Sequence, residues 1–336
     1  MTALNPTFAK LGVRDEIVRA LAEDGIEHAF AIQELTLPLA LAGNDLIGQA
    51  RTGMGKTFAF GVPLLQEITS DTERPLTGTP RALVVVPTRE LCLQVSGDLA
   101  DAAKYLTAGE RKLSVVSIYG GRAYEPQIDA LRAGADVVVG TPGRLLDLAQ
   151  QGHLQLGSIA VLVLDEADEM LDLGFLPDIE RILRQIPEKR QSMLFSATMP
   201  DPIITLARTF MNQPTHIRAE APHSSAVHST TDQFAYRAHA LDKVELVSRL
   251  LQARARGATM IFTRTKRTAQ KVSDELGERG FKVGAVHGDL NQAAREKALK
   301  AFRTGDIDVL VATDVAARGI DIDDVTHVIN YQIPED

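Results

Sequence analysis

The stretch AVLVLDEAD, residues 160–168, joins a run of apolar residues directly to an acidic cluster. A continuous Val and Leu run is typical of a parallel strand covered on both faces, because the side chains pointing to either side are apolar. Polar residues that follow such a strand lie at the carboxyl edge of the sheet, where open α/β sheets bind ligands. This stretch therefore predicts a layered α/β fold and the edge at which its chemistry occurs.

Similar runs recur along the chain and alternate with segments of helical period. One such segment, residues 241–257, predicts a helix with Leu241, Val244 and Leu251 on its apolar stripe. Alternating strands and helices predict an α/β fold with doubly wound parallel sheets. The other predicted strands are DLIGQA (45–50), ALVVVP (82–87), LSVVSIYG (113–120), ADVVVG (135–140), SMLFSAT (192–198), ATMIFTRT (258–265), KVGAVHG (282–288), IDVLVATD (307–314) and HVINYQI (327–333).

A length of 336 residues suits two domains better than one. The polar segment EAPHSSAVHSTT lacks periodicity and is the best candidate for a linker. We therefore expect a first domain over residues 1–218, a linker over 219–231 and a second domain over 232–336. The second domain is short for a doubly wound sheet, and only three residues follow its last predicted strand.

Composition narrows the classes of function. The net charge of −8 argues against a protein that coats nucleic acid with a broad basic face, although a local groove of arginines, hydroxyls and backbone amides stays possible. No apolar run is long enough to span a bilayer, so we expect no membrane association. The single cysteine, Cys92, excludes an intramolecular disulfide. With no export signal at the N-terminus, the expected location is the cytoplasm.

The segment ARTGMGKT, residues 50–57, follows a predicted strand and opens an apolar helix. In that context, backbone N–H groups of a glycine loop bind phosphates at the N-terminus of the helix. Lys56 would then reach the β- and γ-phosphates, and the Thr57 hydroxyl would hold Mg²⁺. A glycine-containing turn with a chance lysine is the weaker interpretation.

Asp165, at the end of the opening strand, is placed to hold Mg²⁺, and Glu166 to activate a water in line with the γ-phosphate. The alternative is an acidic N-cap, which the helix dipole also favours. For Ser196 and Thr198, spacing alone leaves a cap of the following helix as probable as any functional role.

Together, ARTGMGKT, PTREL, TPGR, DEAD, SAT and ATDVAARGID resemble the ordered motifs of the DEAD-box RNA helicases of superfamily 2, from about Phe8 to Asp336. This resemblance implies two RecA-like domains, ATP and Mg²⁺ as cofactors, and RNA as a partner held by its backbone without sequence preference. Protein partners stay unknown. Gln33 resembles the residue that reads the adenine edge, with Phe8 stacking near the base; a cap of the helix is the alternative for Gln33.

The resemblance also assigns residues by group. The catalytic group is Lys56, Asp165 and Glu166. Nucleotide contacts are Phe8, Gln33, Thr52, Gly53, Gly55, Lys56, Thr57, Gly319 and Asp321, with Thr57 and Asp165 on the metal. Asp168, Ser196 and Thr198 would couple nucleotide state to strand separation. RNA contacts would be Pro87, Thr88, Arg89, Gly121, Thr141, Arg144, Thr265, Thr313 and Asp314. In isolation, TPGR would be interpreted as an ordinary turn.

In this family, the strand that HVINYQI resembles is followed by an HRIGRTGR segment whose arginines reach the γ-phosphate. We therefore expect a second domain truncated before that segment, and a chain that binds ATP but is impaired in hydrolysis and unwinding. An ATP-gated RNA clamp or assembly platform is the alternative function. A DNA helicase is a third, which the DEAD tetrad disfavours.

Overall fold

The chain divides into two units, residues 1–225 and 226–336, each with its own core. Of the predicted linker, residues 220–230 lie outside the part that is described. Within the described part, no helix combines the length and apolarity needed to cross a membrane. The computed structural model describes residues 5–50, 55–71, 73–219, 231–254, 256–313 and 325–332.

The first unit alternates strands and helices, as the apolar runs predict. Its strands are β1 (Leu46–Gln49), β2 (Ala82–Val85), β3 (Thr107–Ala108), β4 (Arg111–Lys112), β5 (Val115–Ile118), β6 (Val137–Gly140), β7 (Val161–Leu164), β8 (Gln191–Ser196) and β9 (Thr215–Arg218). Its α-helices are α1 (Asp15–Glu23), α2 (Ala31–Leu41), α3 (Lys56–Ser70), α4 (Arg89–Ala102), α5 (Glu125–Ala133), α6 (Pro142–Gln150), α7 (Ala167–Asp172), α8 (Leu176–Leu183) and α9 (Asp201–Phe210).

Seven of these described strands form one sheet in the order β5-β6-β2-β7-β8-β1-β9. Every neighbouring pair in it is parallel. The carboxyl ends of β1, β2, β5, β6, β7 and β8 therefore meet at a single edge. The predicted α/β class with a parallel sheet is confirmed for this unit.

Helices cover both faces of the sheet, which explains the unbroken apolar strands. In β7, Val161 and Val163 enter a core that also holds Leu64 of α3. The alternate residue Leu162 enters a second core with Ile179 of α8 on the opposite face. Because side chains along a strand alternate between the faces, a doubly covered strand needs an apolar residue at every position.

The second unit repeats the arrangement on a smaller scale. Its described strands are β10 (Ala258–Thr263), β11 (Val283–Val286), β12 (Val309–Thr313) and β13 (Val325–Asn330), and its helices are α10 (Lys243–Leu250), α11 (Lys266–Glu278) and α12 (Gln292–Arg303). These strands are parallel in the order β11-β12-β10-β13. In β12, Val311 and Leu310 enter different cores, so this sheet is also covered on both faces.

Three features differ from the sequence expectation. The helix expected over 241–257 is limited to Lys243–Leu250, and Leu241 lies outside it with 85% of its surface exposed. The pattern also missed β9 and the β3–β4 hairpin. Strand β9 contains His and Arg and lies at a sheet edge, so it lacks the apolar run that marks the central strands.

Candidate nucleotide and nucleic-acid site

The segment that joins β1 to α3 ends in Gly55, a glycine that the local backbone conformation requires. Gly55 is the N-cap of α3 and has φ +77°, a left-handed conformation that L side chains rarely adopt. Lys56 opens the helix and is 6% exposed. Its Nζ atom has no hydrogen-bond acceptor in the described structure and lies 4.0 Å from Oε1 of Glu166. A buried cationic donor of this kind suits a phosphate oxygen.

Asp165 and Glu166 follow β7 at the same edge and are both buried. The Glu166 N–H donates to Oδ1 of Asp165 at 3.0 Å. Burial raises the pKa of Asp165 to about 6, with the positive charge of Lys56 opposing the rise. Glu166 has φ +52°, and its side chain makes no capping bond to α7. Glu166 therefore occupies the N-cap position of α7 without capping it through its side chain, in a left-handed conformation that is uncommon for a residue other than glycine.

Asp168, Ser196 and Thr198 lie together. The Asp168 N–H donates to the Ser196 hydroxyl at 3.1 Å, and both the N–H and the hydroxyl of Thr198 donate to Oδ2 of Asp168 at 2.8 Å. Burial alone would raise the pKa of Asp168, but hydrogen bonds from Thr198, Ser196 and the Glu169 N–H together outweigh it and lower the pKa. Pro200 is the N-cap of α9 and no side chain caps that helix, so the capping alternative for Ser196 and Thr198 is wrong.

Gln33 connects α2 to the phosphate loop. Its Oε1 accepts from the Phe30 N–H at 2.8 Å, and its Nε2 donates to the Gly55 carbonyl at 2.7 Å. The first bond supports the predicted alternative of a helix cap, while the second places the amide at the loop. Gln33 is 1% exposed, so both of its polar groups are used inside the protein.

The aromatic residue at this loop is Phe30, which the sequence reasoning missed. A β-carbon on Gly55 would lie 2.5 Å from Cδ2 of Phe30, and the Phe30 ring is 54% exposed. A large aromatic at an N-cap, where small polar residues are usual, was the available signal.

Phe8, expected to stack on the base, is 1% exposed and packs in the core with Ile17 and Ile32. Its ring has no face open to a base, so the structure does not support the stacking role.

The residues expected to hold RNA occupy the carboxyl ends of β2, β5 and β6. Arg89 is mostly buried, with its guanidinium carbon 4.7 Å from the centroid of the Tyr119 ring. Arg144 lies over the ring of Tyr124 at 3.9 Å. Gly121 is exposed and has φ +78°.

The neighbouring expected contacts form helix starts. Pro87 is buried, and the Thr88 hydroxyl caps α4 by accepting from the Leu91 N–H at 3.3 Å. Thr141 is the N-cap of α6 without a side-chain bond, and Pro142 is the first residue of that helix. TPGR therefore begins a helix and is not an isolated turn.

In the second unit, the Thr265 hydroxyl caps α11 by accepting from the Thr268 N–H at 3.2 Å, and its side chain is exposed. Thr313 ends β12 and is partly exposed. Both lie at the carboxyl edge of their sheet. Outside the described residues lie Thr52, Gly53, Asp314, Gly319 and Asp321.

The described residues fit a nucleotide with its metal. Lys56 is a buried donor without an acceptor, and a β-carbon at Gly55 would also lie 2.6 Å from Nε2 of Gln33, so the loop leaves no room for a side chain there. The described residues contain no grouping of three or more His, Cys, Asp or Glu side chains suited to a metal. Mg²⁺ usually takes one or two protein ligands plus phosphate oxygens, which Thr57 and Asp165 match.

Two parallel α/β units, the first with Lys56, Asp165 and Glu166 at its carboxyl edge, define a protein of two-domain RecA-like architecture. Residues 30–206 match the family model described as DEAD/DEAH box helicase, and residues 242–336 match the helicase conserved C-terminal domain. The chain belongs to the DEAD-box helicase family.

Similar proteins and solved structures support the same family assignment. The chain is 46% identical over 329 residues to the ATP-dependent RNA helicase CshA of Listeria monocytogenes, covering 98% of this chain and 61% of the relative. It is 44% identical to the Geobacillus kaustophilus CshA, covering 98% and 68%. S. cerevisiae Dbp5 bound to RNA and ADP BeF3 has a TM-score of 0.85 and 32% identity, with 98% of this chain and 81% of that chain covered. The chain thus spans about three fifths to two thirds of these curated relatives' length.

Proposed function

We propose that the chain is an ATP-dependent RNA helicase that grips the RNA backbone and separates short duplexes using ATP hydrolysis. One observation carries this proposal. The buried Nζ of Lys56 forms an ion pair with Oε1 of Glu166 at 4.0 Å but has no hydrogen-bond acceptor in the described structure, and it lies beside the buried carboxylate of Asp165. A cation for phosphate, a carboxylate for a metal and a second carboxylate for water are the three groups that phosphoryl transfer to water needs.

In the proposed reaction, the N-terminus of α3 and Lys56 bind the β- and γ-phosphates, and Gln33 holds the loop through the Gly55 carbonyl. Glu166 orients a water and accepts its proton as the water oxygen bonds to the γ-phosphorus and the bond to the ADP oxygen breaks. Thr57 and Asp165 would hold Mg²⁺, which supplies charge compensation for the phosphates. Asp168, through Thr198 and Ser196, connects this chemistry to the end of β8.

RNA would be held at the carboxyl ends of β2, β5 and β6 in the first unit, and through Thr265 and Thr313 in the second. Arg144, the exposed Gly121 and helix starts such as Thr141 grip phosphates without reading bases, so we propose binding without sequence preference. A cytoplasmic location belongs to the same proposal and rests on the single, buried Cys92 thiol.

We further propose that a polypeptide of these 336 residues alone binds ATP·Mg²⁺ but hydrolyses it and unwinds slowly, because an arginine-bearing HRIGRTGR segment is not among them. Loss of such an arginine costs about 10³- to 10⁵-fold in rate in related chemistry. The test is RNA-stimulated ATPase activity of this polypeptide beside a longer version that carries the segment. Equal turnover in both would contradict this part of the proposal.

Lys56→Ala is expected to weaken nucleotide binding roughly 30-fold or more, because the buried cation that meets the phosphates is removed. A fluorescent ATP analogue, titrated in the presence of Mg²⁺, measures the effect. Lys104→Ala is the matched control, since Lys104 is an exposed lysine paired with Glu23 and lies away from the site. Unchanged affinity in Lys56→Ala would remove the phosphate assignment.

Glu166→Gln is expected to retain ATP binding while turnover falls about 10²- to 10⁴-fold, because the amide cannot accept the proton of water. The measurement is steady-state hydrolysis with RNA, in the longer version that carries the arginine segment. Glu180→Gln on α8 is the control for the same chemical change. Normal hydrolysis in Glu166→Gln would show that another group activates water.

A nucleotide-gated RNA clamp would use the same residues but would not release a strand. The two functions separate in a duplex-release assay with ATP and with a non-hydrolysable analogue. Release that requires hydrolysable ATP supports the helicase, whereas RNA retention without release supports the clamp. Competition between RNA and DNA of one sequence tests dependence on the 2′-hydroxyl.

A further inference from the structure

Tyr124 packs against an arginine proposed to bind RNA. It is the N-cap of α5, which follows β5, and its ring is 37% exposed. The guanidinium carbon of Arg144, on the helix that follows β6, lies 3.9 Å from the ring centroid. Since β5 and β6 are neighbouring strands, this contact ties together two loops of the carboxyl edge.

The hydrogen bonds of Arg144 leave it able to take a further acceptor. Its Nη2 donates to the Arg122 carbonyl at 3.0 Å. Its Nη1 is covered and has no acceptor in the described structure. Arg144 as a whole is partly exposed, and a phosphate oxygen is an acceptor that guanidinium groups favour.

A carboxylate on the same helix competes for Arg144. Asp147 lies one turn further along α6, close enough for the two charges to interact. Its Oδ2 accepts from the Tyr124 hydroxyl, and its Oδ1 accepts from Gln151 Nε2 at 2.7 Å. Both oxygens are therefore occupied by neutral donors. Without the Tyr124 hydroxyl, Oδ2 would be left to pair with the guanidinium.

We propose that Tyr124 is a positioning residue for RNA binding: its ring holds the Arg144 guanidinium, and its hydroxyl occupies Asp147 so that the RNA phosphate has no competitor. This inference rests on the proposed function, because it assumes that Arg144 binds the RNA backbone. The hydroxyl is the group that bonds Asp147 and the ring is the surface under Arg144, so a second substitution at Asp147 separates the contribution of the hydroxyl from that of the ring.

The first test concerns the hydroxyl. Tyr124→Phe keeps the ring but frees Asp147, so affinity for a labelled single-stranded oligouridine should fall roughly two- to fivefold. The measurement is fluorescence anisotropy with the full chain, Mg²⁺ and a non-hydrolysable ATP analogue. Adding Asp147→Asn to Tyr124→Phe should restore the affinity, because the amide no longer attracts Arg144. Failure of this rescue overturns the inference.

The second test concerns the ring. Tyr124→Ala removes the surface under the guanidinium, so affinity should fall further than in Tyr124→Phe, and Asp147→Asn should not restore it. If the Arg144 contact is lost, the slope of log affinity against log salt falls by about 0.7, the value of one phosphate on a single strand. Equal affinities in Tyr124→Phe and Tyr124→Ala, with the same salt slope, would contradict a role for the ring.

The chain offers a matched control. The Tyr105 ring lies under Arg19 at 4.0 Å and its hydroxyl donates to Glu23, but it follows α4, away from the carboxyl edge. Tyr105→Phe should leave RNA affinity unchanged, and thermal unfolding checks that each variant folds. An equal loss in both phenylalanine variants overturns the inference. If the unsubstituted chain binds no RNA, the proposed function itself fails.

Discussion

At the scale of single residues, the burial of the Asp165 carboxyl group reduces the stability of the fold at neutral pH. Burial raises its pKa from 3.8 to about 6. Between these values the folded chain binds more protons than the unfolded chain, so the free energy of unfolding falls as pH rises through this window. Above about pH 6 the ionised carboxylate opposes folding in full.

Asp165→Asn is therefore expected to raise the free energy of unfolding at pH 7 by on the order of 1–3 kcal/mol and to flatten its decrease between pH 4 and 6. The amide keeps an acceptor for the Glu166 N–H. Thermal unfolding across pH measures this. Asp45→Asn is the contrast, because both Asp45 oxygens accept backbone N–H groups at 2.7 Å. That variant should be less stable, and a loss in both would contradict the argument.

The amino-acid sequence predicted the positions of some site residues better than those of others. Lys56, Asp165 and Glu166 come together as expected, because parallel strand ends share one edge. Aromatic residues were less predictable: Phe8 and Phe30 are equally apolar, and only tertiary packing buries the first and exposes the second. The bond of Gln33 to the Gly55 carbonyl was hidden for the same reason, since Gly55 is its neighbour only in the fold.

At the scale of elements, the β1–α3 turn is limited by both backbone conformation and space. Gly55 has φ +77°, and a β-carbon there would contact both Phe30 and Gln33. Gly43, after α2, has φ +82° but nothing within 4 Å of such a β-carbon. A comparison of substitutions at Gly55 and Gly43 therefore separates the effect of backbone strain from the effect of crowding.

Gly55→Ala is expected to weaken ATP binding and to lower thermal stability more than Gly43→Ala, which carries only the left-handed penalty of about 1–2 kcal/mol. The added methyl group displaces Phe30 or breaks the Gln33 bond to the loop. Thermal unfolding and nucleotide titration of both variants measure the difference. Equal losses of stability with unchanged ATP affinity would show that crowding at Gly55 is unimportant.

Strands could be predicted from the sequence where burial on both faces requires an apolar residue at every position. Strands such as β2 and β7 are apolar at every position, because both faces of the sheet are covered. The edge strand β9 has only one partly buried residue among its four, so no pattern marks it. Helix α10 ends at Leu250 although helix-favouring residues continue to Arg256, so local propensity alone does not place the end of this helix.

At the scale of the molecule, the described nucleotide-site residues all belong to the first unit. A non-hydrolysable ATP analogue, without RNA, should therefore slow hydrogen exchange around β1–α3 and β7–α7. When the analogue is present at 100 times its dissociation constant, binding raises by about 2.7 kcal/mol the free energy of each local opening that abolishes the site. Mass spectrometry of exchanged peptides localises the effect, and Lys56→Ala should lack it. Protection confined to the second unit would contradict the assignment.

The order of the strands in the first sheet determines when β1 can pair while the chain is being synthesised. Strand β1, which carries the phosphate loop, lies between β8 and β9, with Leu46 opposite Met193 and Thr215. Both partners are made long after β1, so this strand has no neighbour to pair with while the intervening chain leaves the ribosome. Contacts so distant in sequence form slowly. We therefore expect the proposed nucleotide site to form late, when β8 reaches the sheet and joins β1 to β7.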